Sequence, residues 1–147
     1  MRAGRKLVLG GIEIPSEKGL LGHSDGDALC HAVTDALLGA GGLGDIGTHF
    51  PDTDPRFRDA DSLGLLRQAV SLLDQADILP ESVDTTVILA GPRLGPWSEA
   101  MRVSLAEALG LSPGFVSVKA KSGNKLGQTG AGKSCEVYAV ATVRVLG

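Results

Sequence analysis

The sequence has few aromatic residues, few cysteines and no excess of positive charge. Aromatics make up 3% of the 147 residues, which argues against the stacking surfaces that bind single-stranded nucleic acids. The formal net charge is −3, so the chain does not have the excess of basic residues that is typical of a nucleic-acid-binding domain. No apolar run approaches the ~20 residues of a membrane helix, and residues 1–6 lack the apolar region of a signal peptide. Two cysteines, Cys30 and Cys135, give no disulfide framework, so we expect a protein of a reducing compartment, the cytoplasm.

The composition and length predict one globular domain covering residues 1–147. The hydrophobic fraction of 43% and the charged fraction of 21% are ordinary for a globular protein, and the length fits a single core. The negative net charge leaves room for an anionic small substrate, because local cations or metal ions can reverse the field in one cleft.

Residue patterns predict an α/β (α+β) fold, with one mixed sheet backed by helices. Residues 6–15 predict a hairpin around Gly10-Gly11. Helices are predicted after Ser24 or Asp25 as N-cap, after Asp61-Ser62, and after Pro96. Runs rich in β-branched residues predict strands at 82–90, 115–121 and 136–146.

The first predicted helix carries a possible metal ligand. Asp27, His31 and Asp35 are spaced four apart and would lie along one line, beside an apolar stripe that faces the core. A neutral imidazole between carboxylates can be held in one tautomer with a nitrogen available to a metal. A solvated polar face with an Asp–His pair explains this helix equally well.

The loop at residues 43–55 is rich in acids, and its carboxylates could hold a hard cation. Without further context, turn formation by Asp and Pro is the favoured explanation.

Residues 127–134, GQTGAGKS, match the G-x-x-x-x-G-K-[ST] pattern of a phosphate-binding P-loop. A true P-loop is followed by a helix, whose N–H groups and dipole meet the phosphates. The residues from Glu136 onward, EVYAVATV, predict a strand instead. A P-loop nucleotide hydrolase is therefore a remote alternative.

Four blocks, HSDGD (23–27), HAVTDALL (31–38), LGDIG (43–47) and FPDTDP (50–55), occur in one order and spacing that resembles the 2-C-methyl-D-erythritol 2,4-cyclodiphosphate synthase family. The resemblance runs from residue 6 to the C-terminus. It implies that 4-diphosphocytidyl-2-C-methyl-D-erythritol 2-phosphate is cyclised with release of CMP, in non-mevalonate isoprenoid synthesis. It also implies Zn²⁺ together with a second cation, Mg²⁺ or Mn²⁺, and a homotrimer with active sites between subunits.

The resemblance assigns expected roles residue by residue. His31 matches the helix histidine that binds zinc, and His23 with Ser24 matches the pair that contacts the substrate phosphates. His23 and Ser122 match the residues that support the transition state, as catalytic residues. Further substrate contacts are expected in four segments. Two lie near the erythritol and phosphates: Asp45, Ile46 and Gly47 at the erythritol and diphosphate, and Phe50, Pro51, Asp52, Thr53 and Asp54 in the sugar-phosphate loop. The other two are Leu89, Ala90, Gly91, Pro92, Arg93, Leu94 and Gly95 at the cytidine, and the late segment Lys121, Ser122, Gly123 and Asn124.

The sequence departs from the family pattern in two places. The family begins with a Gly-x-Asp-x-His segment that supplies the other two zinc ligands, whereas residues 1–5 read MRAGR. Either that segment belongs to the protein outside these 147 residues, which we expect, or the zinc has been lost; His49 is a weak replacement. Asn124 stands where a Glu usually coordinates the second cation, and Gln128 and Ala131 replace an aromatic residue and an Arg. If these are real losses, the alternative is a non-catalytic relative that binds a diphosphate or isoprenoid ligand.

Overall fold

A three-stranded sheet forms the centre of the computed structural model, which describes residues 2–3, 6–16, 18–19, 26–57, 61–122 and 134–147. The long strand β5 (Ile78–Ile88) lies in the middle of this sheet. Strand β6 (Val116–Lys121) pairs with it in parallel, and β7 (Glu136–Val145) pairs with it antiparallel. The predicted mixed sheet is therefore confirmed.

The two faces of this sheet differ because side chains alternate along each strand. Val83, Thr85 and Val87 of β5 are buried on the inner face. Their cross-strand neighbours on β7, Ala139 and Ala141 among them, pack against the same core. The other face, here called the outer face, carries the residues one position away, including the exposed Tyr138 and Val140.

Three helices cover the inner face: α1 (Ala28–Ala40), α3 (Ser62–Gln75) and α4 (Ser98–Leu109). The short α2 (Ile46–His49) lies between α1 and α3 in the chain. The apolar side chains Leu29, Val33 and Leu37 of α1 have no exposed surface, as their i, i+4, i+8 spacing requires for a core-facing stripe. No helix of the described ranges is long and apolar enough to cross a membrane.

Two small antiparallel pairs lie beside the main sheet. Strand β1 (Arg2–Ala3) pairs with β4 (Lys18–Gly19), and β2 (Leu7–Leu9) pairs with β3 (Ile12–Ile14). The second pair is the predicted hairpin. Its turn residues Gly10 and Gly11 have φ of 61° and 77°, the left-handed region that glycine enters without steric cost.

The predicted N-cap of the first helix is wrong by two or three positions. Asp27, not Ser24 or Asp25, caps α1, because its carboxylate accepts a hydrogen bond from the Cys30 N–H at 2.9 Å. The same carboxylate accepts the N–H groups of Gly10 at 2.9 Å and Gly11 at 2.7 Å. Ser24 and Asp25 lie outside the described residues.

Other predicted boundaries hold to within a few residues. Asp61 caps α3, Gly110 ends α4 in the left-handed conformation, and a 3₁₀ turn at Gly95–Trp97 leads into α4. Strand β5 starts earlier than predicted, at Ile78, and accommodates Pro80 next to a register shift. The predicted strand after Ser134 is confirmed as β7, so the helix that a P-loop requires is replaced by a strand.

Candidate active site

His31 lies on the second turn of α1, where it faces α3. Its Nε2 is 2.8 Å from the Oγ of Ser62, the first residue of α3, which is fully buried. The hydrogen bond holds the imidazole in one orientation, the same role that outer partners play for metal-binding histidines.

Asp27 and Asp35, predicted to lie in line with His31, both accept hydrogen bonds from backbone N–H groups instead. The Asp27 carboxylate turns to the backbone N–H groups of the hairpin and of α1. Burial raises the pKa of this carboxyl, against the lowering effect of those hydrogen bonds. The Asp35 carboxylate accepts the N–H of Ile46 at 3.0 Å and so ties α1 to the following loop. Spacing by four residues predicted a shared stripe, but backbone donors from other segments compete for both carboxylates.

Asp45 begins the segment predicted to meet the erythritol and diphosphate. It caps α2 by accepting the Thr48 hydroxyl at 2.7 Å and the Thr48 N–H at 2.9 Å. These bonds lower the pKa of the Asp45 carboxyl below its usual range, and the bond from the Thr48 hydroxyl has the larger effect. Ile46 and Gly47 form the first turn of this short helix.

The predicted sugar-phosphate loop is divided between core and solvent. Phe50 is 7% exposed and packs with Leu38, Leu65 and Ala69 in a satellite core. Pro51 is partly buried, whereas Asp52 and Thr53 are exposed in the turn that follows.

Asp54 ends the loop in an ion pair with Arg56. The Arg56 guanidinium donates to the carboxylate at 2.7 Å, and its backbone N–H donates at 2.9 Å. These bonds lower the pKa of the Asp54 carboxyl. The turn chemistry predicted for this acid-rich loop is therefore present at Asp45 and at Asp54.

The cytidine segment and the late segment meet at the ends of the two parallel strands. A cavity of about 270 Å³ opens there. It is lined by Leu89, Ala90, Arg93, Leu94, Gly95, Ala120, Lys121 and Ser122. The Leu89 N–H donates to the Lys121 carbonyl at 2.9 Å and fixes the two strand ends together. The carboxyl edge of parallel strands is a usual place for a ligand in α/β proteins.

A complete zinc site is not formed by the described residues. Within the ranges that the structure describes, no three His, Cys, Asp or Glu side chains form a group able to hold a metal ion. His31 is thus a single candidate ligand, whereas catalytic zinc usually takes three from protein. His49, the possible replacement, has its Nε2 bonded to the Leu43 carbonyl at 2.6 Å. Zinc binding therefore does not fit the described residues alone.

Four predicted site residues, His23, Ser24, Gly123 and Asn124, lie outside the described residues, as do Gln128 and Ala131. Their roles stay predictions. Ser62 was missed as a partner of His31, because 31 positions separate the two residues and its place after Asp61 indicated only a helix start. The bonds from Asp27 to Gly10 and Gly11 were also missed because these residues are distant in sequence. The two adjacent glycines were the feature of the sequence that could have indicated them.

Comparison with known proteins identifies close relatives. The YgbB family profile matches residues 1–144. A 2-C-methyl-D-erythritol 2,4-cyclodiphosphate synthase of Dechloromonas aromatica is 55% identical over 98% of this chain and 90% of its own length. The synthase of Laribacter hongkongensis is 57% identical over 96% and 87%. A solved structure of a 2C-methyl-D-erythritol-2,4-cyclodiphosphate synthase in its CDP-bound form superposes with a TM-score of 0.89, at 40% identity, over 97% of this chain and 93% of that one.

Proposed function

This chain belongs to the YgbB family, and from that premise we propose that it converts 4-diphosphocytidyl-2-C-methyl-D-erythritol 2-phosphate into 2-C-methyl-D-erythritol 2,4-cyclodiphosphate and CMP, in isoprenoid precursor synthesis. The observation that carries the proposal is the likeness to named synthases over nearly the whole chain. Within the molecule, the support is the cavity in which the predicted cytidine segment and Ser122 come together.

The reaction is an intramolecular phosphoryl transfer. An oxygen of the 2-phosphate attacks the β-phosphorus of the diphosphate, the bond from that phosphorus to the bridging oxygen breaks, and CMP leaves with the electron pair. Both reacting groups are anionic, so the protein must fold the substrate back on itself and offset its charge. Positioning of this kind contributes roughly 7–11 kcal/mol.

The chain's own residues have separate parts in this scheme. The cavity at the strand ends holds the cytidine end and keeps the leaving group fixed. The Ser122 hydroxyl, at the rim of that cavity, donates to the phosphoryl oxygens as charge develops on them. The segment from Asp45 to Gly47 binds the erythritol end, and His23 with Ser24 contacts the phosphates.

A direct assay tests the activity. The purified chain is incubated with the substrate, the cyclic diphosphate is followed by ³¹P NMR, and CMP is followed by chromatography. We expect both products in equal amounts, and Ser122→Ala to lower kcat by about 100-fold, as loss of a transition-state donor does. Ser117→Ala, on the strand that Ser122 follows, is the matched control and retains activity. If the wild-type chain binds CDP but forms neither product, the binding-only relative is the correct description.

Metal dependence is a further part of the proposal. Zn²⁺ would use His31 as one ligand, with the rest of the set from outside the described residues. Mg²⁺ or Mn²⁺ would offset the phosphate charge, as metals do in phosphoryl transfer. Elemental analysis of protein purified without chelator tests this. We expect zinc in the wild type, none in His31→Ala, and retention in the matched control His49→Ala. Full activity in metal-free protein would contradict the proposal.

We also propose a homotrimer, with active sites between subunits, in the cytoplasm. The support for the trimer is the outer face of the sheet, where Tyr138 is 62% and Val140 is 67% exposed. Exposed large apolar side chains that lie together on one face are a feature of interaction surfaces. The support for the location is that Cys30 and Cys135 are both free thiols. Light scattering and the distribution of the tagged protein between cell fractions test the two statements.

A further inference from the structure

The short helix α2 depends on neighbouring elements for its position. It has four residues, Ile46–His49, and a helix of this length does not form alone, because its first turn fixes several residues for one hydrogen bond. Asp45 caps α2, and Ile46 and Gly47 form its first turn. These three residues, here called the 45–47 segment, are the ones expected at the erythritol and diphosphate of the substrate. A contact that holds α2 in place therefore also places this segment.

One such contact comes from α1. The Oδ1 atom of Asp35 accepts the N–H of Ile46 at 3.0 Å. Ile46 is the first residue of α2, so its N–H is one of the four donors at a helix start that have no partner inside the helix. Asp35 satisfies this donor from another element, and the bond joins the backbone of the 45–47 segment to a side chain of α1.

The helix that supplies Asp35 is itself fixed by packing. Leu29, Val33 and Leu37 of α1 are fully buried, and close packing of this kind resists displacement. Asp35 lies one turn after His31, and residues four apart are neighbours on a helix surface. The hydrogen bond to Ile46 therefore fixes the 45–47 segment relative to the core, on the side of α1 that carries His31.

The other contacts of α2 act in a different way. Asp45 bonds to the N–H and the hydroxyl of Thr48, so these bonds shape the helix from within its own segment. The Ile46 side chain packs against the satellite core, and apolar contact has no directional requirement. The bond to Asp35 adds that requirement, because an N–H donor must point at its acceptor.

We propose that Asp35 is a positioning residue for substrate binding, whose carboxylate holds the Ile46 backbone so that the 45–47 segment meets the erythritol end of the substrate. The inference rests on the proposed function, since that function places the erythritol at this segment. Asp35 acts through the backbone and does not touch the substrate. The site therefore needs an acceptor oxygen at position 35, and it does not need the negative charge.

Steady-state kinetics of Asp35→Ala and Asp35→Asn test this role. We expect Asp35→Ala to raise KM by about tenfold, the effect of losing one hydrogen bond to a charged group. The kcat value should stay within about threefold, because binding that is equal in the ground and transition states appears in KM alone. Asparagine keeps an acceptor oxygen, so Asp35→Asn should restore KM to within about threefold of the wild type.

Two further measurements separate positioning from a general loss of structure. Affinity for CMP, measured by calorimetry, should be unchanged in both variants, because CMP contains no erythritol. Amide exchange followed by NMR should be about tenfold faster at the Ile46 N–H in Asp35→Ala and close to wild type in Asp35→Asn. Asp74→Ala removes an exposed carboxylate from α3 and is the matched control, with unchanged KM and unchanged exchange at Ile46.

Three results would overturn the inference. An unchanged KM in Asp35→Ala would mean that the bond does not position the segment. An equal loss in Asp35→Asn and Asp35→Ala would assign the charge of the carboxylate a direct part in the reaction. A fall in CMP affinity that matches the rise in KM would indicate a general disturbance of the fold.

The outcome is separable from that of the activity assay. If the wild-type chain forms the cyclic product and Asp35→Ala keeps its KM, the proposed function stands and the inference fails. If the wild-type chain forms no product, the proposed function fails, and the affinity of the same variants for the intact substrate, measured by calorimetry, decides the inference.

Discussion

At the scale of single residues, the carboxylate of Asp27 joins two segments that are distant in sequence. It accepts N–H groups from the hairpin turn and from the first turn of α1, and it has no exposed surface. Because α1 carries His31, this carboxylate fixes the position of the candidate ligand relative to the N-terminal hairpin.

Asp27→Ala should lower the free energy of unfolding by at least ~2 kcal/mol, because two buried donors lose their acceptor at ~1–3 kcal/mol each and a third, partly buried donor adds to the loss. Asp61→Ala is the matched control: Asp61 also caps a helix, but among the described residues its carboxylate accepts only the N–H of Leu63, so a loss of ~1 kcal/mol is expected. Urea unfolding measures both. Equal losses of unfolding free energy in the two variants would mean that the hydrogen bonds from Gly10 and Gly11 to Asp27 do not stabilise the fold.

Cys135 should react slowly with alkylating reagents at neutral pH. Burial, together with the nearby Asp27 and Glu136 carboxylates, raises the pKa of its thiol to about 11. Since the thiolate is the nucleophile, its labelling rate by iodoacetamide should rise about tenfold per pH unit from 8 to 10. Intact mass measures the rate, and Cys135→Ser identifies the site. A plateau near pH 9 would contradict the raised pKa.

At the scale of elements, the β2–β3 hairpin depends on two glycines for different reasons. Gly10 and Gly11 both have positive φ, but a Cβ on Gly11 would also overlap the Leu63 side chain of α3. Gly11 therefore permits the hairpin to approach α3 as well as to turn.

Gly11→Ala should cost more than Gly110→Ala, although the two glycines have similar φ of 77° and 71°. At Gly110 no atom of the described residues lies within 4 Å of an added Cβ, so the backbone penalty of roughly 1 kcal/mol is the expected cost. At Gly11 the overlap with Leu63 adds an overpacking cost of about 1–3 kcal/mol. Thermal and urea unfolding measure the difference, and equal losses would refute the close approach.

The elements themselves could be predicted because their signals are local. The period of Leu29, Val33 and Leu37 and the Asp61 cap are each contained within one segment. The contact of His31 with Ser62 could not be predicted, because it depends on how α1 and α3 pack. The cavity that unites Arg93 with Lys121 was indicated by the family resemblance, not by residue spacing, since parallel pairing of β5 and β6 leaves no local pattern.

At the scale of the whole molecule, the two sides of the sheet differ within the part of the chain that the structure describes. The described helices pack on the inner face, and the outer face presents Tyr138 and Val140. The cavity with Lys121 lies at the ends of β5 and β6, so association through the outer face of these strands would bring a second chain close to the candidate site.

Val140→Lys should therefore dissociate the proposed trimer, because association through this face would bury the added charge. Val103→Lys is the matched control, since Val103 is also exposed, at 44%, but lies on α4. Size-exclusion chromatography with light scattering should give three times the 15.1 kDa chain mass for the wild type and for Val103→Lys. A trimeric Val140→Lys protein would exclude this face as the interface.

The order of the strands has a consequence for how the chain is made. The middle strand β5 is flanked on one side by β7, the last strand along the chain. While a ribosome is still synthesising residues 122–135, β6 is already available to pair with β5, but the nascent chain presents the other edge of β5 without its partner. Unpaired edges of this kind invite aggregation. Release of residues 136–145 from the ribosome is therefore the event that allows the sheet to close, and until then the growing polypeptide is a natural client for chaperones.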